Sequence, residues 1–147
     1  MFKARAGLGA YEGRMKPYDL LQSDALHLAA AGIQPVPGFG HDYDKYMKAH
    51  CTKGDPGRLV CVHETKEAWE TWETHPAGDE VVVVLRGHAR FIQEIDGKER
   101  AVVVGPNEAI VNPAGTPHTA DVIEPFTALY ITPCPGTHHR PRSARRG

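Results

Sequence analysis

The stretch Trp72-Glu73-Thr74-His75-Pro76-Ala77-Gly78-Asp79-Glu80, closed by Gly87 after six more residues, decides how this chain is read. Residues two apart on a strand share a face, so Glu73 and His75 point the same way and can share one ion. The Pro76-Ala77-Gly78-Asp79 turn then starts a new strand at Glu80, which returns a second carboxylate beside the imidazole. Further along, Pro113-Ala114-Gly115-Thr116-Pro117-His118 sets a histidine at the head of another strand, directly after a turn stiffened by two prolines.

Two imidazoles with one or two carboxylates suit one divalent ion of the borderline kind: iron(II), zinc, nickel, cobalt or manganese. A two-His, one-carboxylate face with open positions is associated with non-haem iron. The two segments resemble the paired motifs of the cupin superfamily, G-x5-H-x-H-x3–4-E-x6-G and G-x5-P-x-G-x2-H-x3-N. His75, Glu80 and Gly87 match the first; Pro113, Gly115 and His118 match the second. Glu73 stands where the family has its first histidine, Val122 replaces the final asparagine, and Gly105 lies two residues too far from Pro113.

The resemblance implies an all-β, double-stranded β-helix (jelly-roll) barrel with the ion at the floor of a concave site, held by His75, Glu80 and His118. Three readings of Glu73 stay open: fourth ligand, general base or acid beside the ion, or exposed strand end. Without a metal, His75, Glu80 and His118 would instead be hydrogen-bonded core residues. The implied function is a metal-dependent enzyme acting on a small organic molecule, by oxygenation or by metal-assisted proton transfer (isomerase or lyase). The alternative is a non-catalytic barrel that senses a small molecule or binds metal, since fold does not fix function. Cupins commonly pair as homodimers, their N-terminal segments crossing between barrels.

Outward from these motifs, residues 58–133 alternate short β-prone runs with turn signals, as expected of a barrel. The runs are Leu59–His63, Ala68–His75, Glu80–Leu85, Ala89–Ile95, Lys98–Val104, Ala109–Asn112, His118–Ile123 and Phe126–Thr132. Asp96-Gly97 fits a two-residue type I′ hairpin, and Arg86-Gly87-His88 reads as a turn. Residues 1–57 read as a helix at Pro17–Ala31, from the recurrence of Leu20, Leu21, Ala25 and Leu28, then an irregular arm at Gln34–Gly57 anchored by Tyr43, Tyr46 and Met47. Residues 134–147 read as a basic, mobile tail.

At 147 residues one domain is expected, and 17 basic against 18 acidic residues give no overall field toward nucleic acid or an anionic membrane. The N-terminal MFKARAGLGAYEGRMK lacks the apolar stretch of a secretory leader, and Val81–Leu85 is the longest apolar run, so a cytoplasmic protein is expected. Cys51, Cys61 and Cys134 form no C-x-x-C pair and read as reduced structural thiols. His41, His50, His63, His88, His138 and His139 lack ligand spacing, and Trp69 and Trp72 read as core or dimer packing rather than substrate-facing indoles.

Overall fold

A computed structural model describes residues 15–51 and 57–143. The elements are β1 (Ala25–Leu28), β2 (Ile33–Val36), α1 (Tyr43–His50), β3 (Arg58–Thr65), β4 (Thr71–Thr74), β5 (Glu80–Ile95), β6 (Lys98–Val104), β7 (Ala109–Asn112), β8 (His118–Pro133) and β9 (His138–Pro141). The frame is set by β5 and β8, each 16 residues long, which pair antiparallel from Val81↔Ile131 to Gln93↔His118. The outer edge of β5 takes β7 along Glu80–Val83 and β6 along Ala89–Ile95, while β8 takes β3 along its second half and β4 at Glu73↔His118.

A strand this long reaches back over itself only if it bends, and the bend falls at Arg86-Gly87-His88. The expected turn is instead a break in register inside a continuous strand, with shifts between Val84 and Ala89. Gly87 has φ +77°, and a Cβ built there would lie 2.0 Å from the Pro125 carbonyl oxygen, so only glycine fits. The bend brings Gln93 round to β7, where its Nε2 donates to the Val111 carbonyl and the Asn112 side chain, each at 2.8 Å. Two parts of β5 thirteen residues apart, Glu80 and Gln93, therefore meet the same short strand, and the sheet closes as a barrel.

Inside it, Val82, Val84, Ala89, Phe91, Ala120, Phe126 and Ala128 are buried. Phe91 and Phe126 meet edge to face at 6.0 Å, an arrangement worth about 0.5–1.5 kcal/mol beyond area burial. The hairpin at Asp96-Gly97 has φ +51° and +73°, the two positive values a type I′ turn requires.

Outside the motif-bearing half, four expectations are corrected. The Pro17–Ala31 helix is absent. Asp19 closes a turn by accepting from the Leu21 and Gln22 amides, and Ala25–Leu28 is a strand whose burial alternates with period two, turning Ala25 and His27 inward. The helix falls instead within the supposed irregular arm, at Tyr43–His50, where Asp42 caps it by accepting from the Lys45 amide at 3.0 Å. The tail is anchored: β9 pairs with β4 from Thr71↔Pro141 to Thr74↔His138, and Arg142 binds Asp121 at 2.9 Å. Cys51 and Cys134 form a disulfide, which overturns the reading of three reduced thiols; Cys61 alone is free, and buried. Residues 1–14, most of the stretch read as lacking a leader, lie outside the described residues, as do 52–56 of the arm and 144–147 of the tail.

Candidate metal centre

Four side chains singled out from local spacing and the motif resemblance converge. Ligand atoms of Glu73, His75, Glu80 and His118 all lie within 4.8 Å of one another. Glu73 comes from the end of β4, His75 from just beyond it, Glu80 from the head of β5 and His118 from the head of β8. The β4–β8 pairing sets Glu73 beside His118, and the Pro76–Asp79 turn swings Glu80 under His75. Gly115 tightens that corner, its amide donating to the His75 carbonyl at 3.0 Å with φ +74°.

His75 Nε2 lies 3.2 Å from Glu80 Oε2, and His118 Nε2 lies 3.3 Å from Glu80 Oε1. Glu73 Oε2 stands further off, 3.7 Å from His75 Nε2 and 3.9 Å from His118 Nε2. Donors at metal-bonding distance and 90–110° apart about one centre lie roughly 2.9–3.5 Å from each other. The two separations to Glu80 fall inside that window and the two to Glu73 just outside it.

The remaining atoms of these side chains are held in place from behind. His118 Nδ1 donates to the Thr116 carbonyl at 3.1 Å, which fixes the tautomer that leaves a lone pair on Nε2. His75 Nδ1 lies 2.8 Å from the Thr137 hydroxyl, which can play the same part. Glu80 Oε1 accepts from Asn112 Nδ2 at 3.0 Å and Oε2 from the Thr132 hydroxyl at 2.6 Å. Glu73 Oε1 accepts from His139 Nε2 at 3.1 Å, leaving Oε2 toward the cluster.

Nε2 of His75 and Nε2 of His118 are buried, and neither makes a well-aligned hydrogen bond, although Glu80 lies within 3.3 Å of each. Buried polar atoms without such a bond carry a substantial cost and are rare. Two of them aimed at one buried carboxylate fit a divalent cation, and they fit it better than a hydrogen-bonded polar core.

Burial alone would push Glu80 up, but His118 and His75 outweigh it and hold the carboxyl well below its usual range. Burial would likewise lower His118, yet Glu80 overcomes this and raises it above an ordinary imidazole. His139 is raised chiefly by its hydrogen bond to Glu73.

Trp69 packs against the core, its ring 6.4 Å from both Phe91 and His118. Trp72 is buried beneath the Arg140 guanidinium at 5.3 Å, and Arg140 also binds Glu94 at 2.6 Å. Sequence reasoning missed Asn112, Thr132, Thr137 and His139. Asn112, which immediately precedes the Pro113 motif, carried the one signal that could have been used: a strand-end amide next to a ligand turn.

No protein-family model matches the sequence, and no curated protein matches it. Solved structures do. Hydroquinone 1,2-dioxygenase from Sphingomonas sp. TTNP3 is 11% identical with a TM-score of 0.45, the match covering 54% of this chain and 60% of that one. Oxalate decarboxylase from Bacillus subtilis is 21% identical with a TM-score of 0.47, covering 56% and 23%. A conserved protein of unknown function from Streptococcus pyogenes is 21% identical with a TM-score of 0.48, covering 84% and 90%. The matches thus cover less than two thirds of the dioxygenase and the decarboxylase. The strand order and the coiled β5–β8 pair make this an all-β fold of antiparallel strands, the class expected from the sequence. No helix among the described residues is long and apolar enough to cross a membrane.

Proposed function

We propose that this chain is a metal-dependent enzyme that binds one divalent ion through His75, Glu80 and His118 and acts on a small organic molecule in the barrel, with Glu73 moving a proton. The observation that carries the reading is the pair of buried Nε2 atoms without a well-aligned hydrogen bond, facing one ionised carboxylate. The ion, once bound, supplies Lewis-acid polarisation of a substrate oxygen. Iron, zinc, nickel, cobalt and manganese all suit the donor set.

The chain's own residues do the rest. Thr116 and Thr137 hold the imidazoles in register, while Asn112 and Thr132 hold Glu80. Glu73 is the carboxylate of the site that reaches solvent, its side chain 27% exposed against 2% for Glu80. Its Oε1 is fixed by His139 and its Oε2 looks into the cluster, so it can take a proton from a substrate and return it without losing its own position. This favours isomerase or lyase chemistry.

A second reading, oxygenation, is favoured by one observation: two histidines and one carboxylate form the tight subset, as at a non-haem iron face. Glu73→Gln separates base from ligand, because retained metal with lost turnover supports the base and lost metal supports a fourth ligand. Oxygen uptake with a panel of β-diketones, catechols and keto acids separates the two chemistries. If no oxygen uptake and no substrate turnover accompany a loaded site, the enzymatic reading fails in favour of a sensing or metal-binding barrel. We further propose that the chain pairs as a homodimer, and that residues 58–133 form the barrel unit flanked by an N-terminal segment and a tail.

A further inference from the structure

A second gathering of metal-binding side chains shares no residue with the first. His27 is buried on β1; His50 ends α1, followed at once by Cys51; and Cys134 follows β8. The His27 and His50 rings lie 4.9 Å apart, and both contact the Tyr46 ring, at 5.7 and 5.1 Å. The Tyr46 hydroxyl lies 2.7 Å from His27 Nδ1 and 3.6 Å from Cys134 Sγ, which puts an imidazole and a disulfide sulfur beside the same oxygen. Cys51 is joined to Cys134, so both sulfurs stand at this spot. Gly57 completes the wall: a Cβ there would come within 2.5 Å of His27 Nε2, and its carbonyl accepts from the Cys134 amide at 3.2 Å.

Two sulfurs and two imidazoles drawn from three separate parts of the chain make a Cys2His2 set, the donor composition of closed structural zinc sites. Such a set holds zinc only as thiolates, and here the sulfurs are oxidised. In a reducing compartment such disulfides are rarely kept.

We infer that the disulfide is one of two states of a redox-controlled zinc site, and that on reduction Cys51 and Cys134 bind a zinc ion together with His27 and His50. Reduction by a small dithiol breaks the S–S bond. Two electrons and two protons pass to the protein sulfurs, giving two thiols, and the reductant becomes a cyclic disulfide. Zinc then displaces the two thiol protons. Either state ties the end of α1 to the segment after β8, which leads into Thr137 and His139 beside the first site.

The test uses the full chain and cobalt(II), which takes zinc sites and shows a sulfur-to-metal charge-transfer band only with thiolate ligands. A trialkylphosphine reduces the protein, taking up the oxygen of one water as phosphine oxide while that water's two protons go to the thiols. The expected result is no such band in the oxidised chain and a strong one after reduction. The band should be lost in Cys51→Ser and Cys134→Ser, kept in Cys61→Ser and His118→Ala, and weakened at least ~10-fold in cobalt affinity in His50→Ala, in line with loss of one ligand.

Should the serine variants fold poorly, the wild-type chain answers alone. Zinc should protect Cys51 and Cys134, and not Cys61, from alkylation of the reduced protein, as located by peptide mass. Absence of the band after reduction, its persistence without either cysteine, or equal alkylation with and without zinc would overturn the inference.

Discussion

Thr132→Val isolates what the groups behind Glu80 contribute to metal binding. The Thr132 hydroxyl donates to Glu80 Oε2 at 2.6 Å, a short bond to a buried carboxylate that also faces His75 at 3.2 Å. Valine keeps the shape and removes only the donor. A hydrogen bond to a charged group is worth about 1.5–3 kcal/mol. If that energy serves to hold Glu80 in its ligating orientation, metal affinity should fall by roughly 10–100-fold, the range seen when second-layer partners of metal ligands are removed, and the two figures agree because tenfold corresponds to about 1.4 kcal/mol.

The assay is competition against a chromophoric chelator, with thermal unfolding of the apo chain run alongside. Glu80 contributes stability above the ordinary carboxylate pKa, and this is lost as pH falls through its depressed folded value. Losing a donor to the charged form raises that folded value, so apo Thr132→Val should lose stability at a higher pH than wild type. An affinity within twofold of wild type, with no change in the acid limb, would refute the reasoning that Thr132 positions a ligand.

Other expectations follow from the same geometry. Metal binding near pH 7 should release a proton from His118, whose folded pKa is raised, so the apparent binding enthalpy should vary with the buffer's ionisation enthalpy and cease to do so as pH climbs well above that range. By the same sign, the contribution of His118 to apo stability is present below the ordinary imidazole pKa and fades as pH rises through the raised value. Gly87→Ala should cost at least about 3 kcal/mol in denaturant unfolding, because positive-φ strain adds to a 2.0 Å clash with the Pro125 carbonyl; a loss under 1 kcal/mol would contradict the bend described for β5. Phe91→Ala, which empties a fully buried site against Phe126, should cost about 3–5 kcal/mol by the same measurement.

The site was more legible than the frame around it. Glu73, His75, Glu80 and His118 could be named because each lies at a strand end beside a Pro/Gly turn, where local spacing dictates which side chains meet. Asn112 and Thr132 could not, since their role depends on β7 and β8 reaching the same carboxylate from strands far apart in sequence. His139 and Thr137 were hidden for a different reason: a basic, proline-containing tail gives no strand signal, and β9 exists only because β4 offers it an edge. The N-terminal misreading was one of period. Leu20, Leu21, Ala25 and Leu28 fit a helical spacing loosely, but Asp19 and Asp24 close a turn through the first of them and β3 takes the rest as a strand. The Cys51–Cys134 pair, 83 residues apart, has no local signature at all.

The most direct test of the central claim is metal content by elemental analysis of the full chain purified without added metal or reductant, alongside His118→Ala and Glu80→Ala of matched circular dichroism. Close to one divalent ion per chain is expected in the wild type, with most of it lost in both variants. Unchanged metal content in the two variants would contradict the claim.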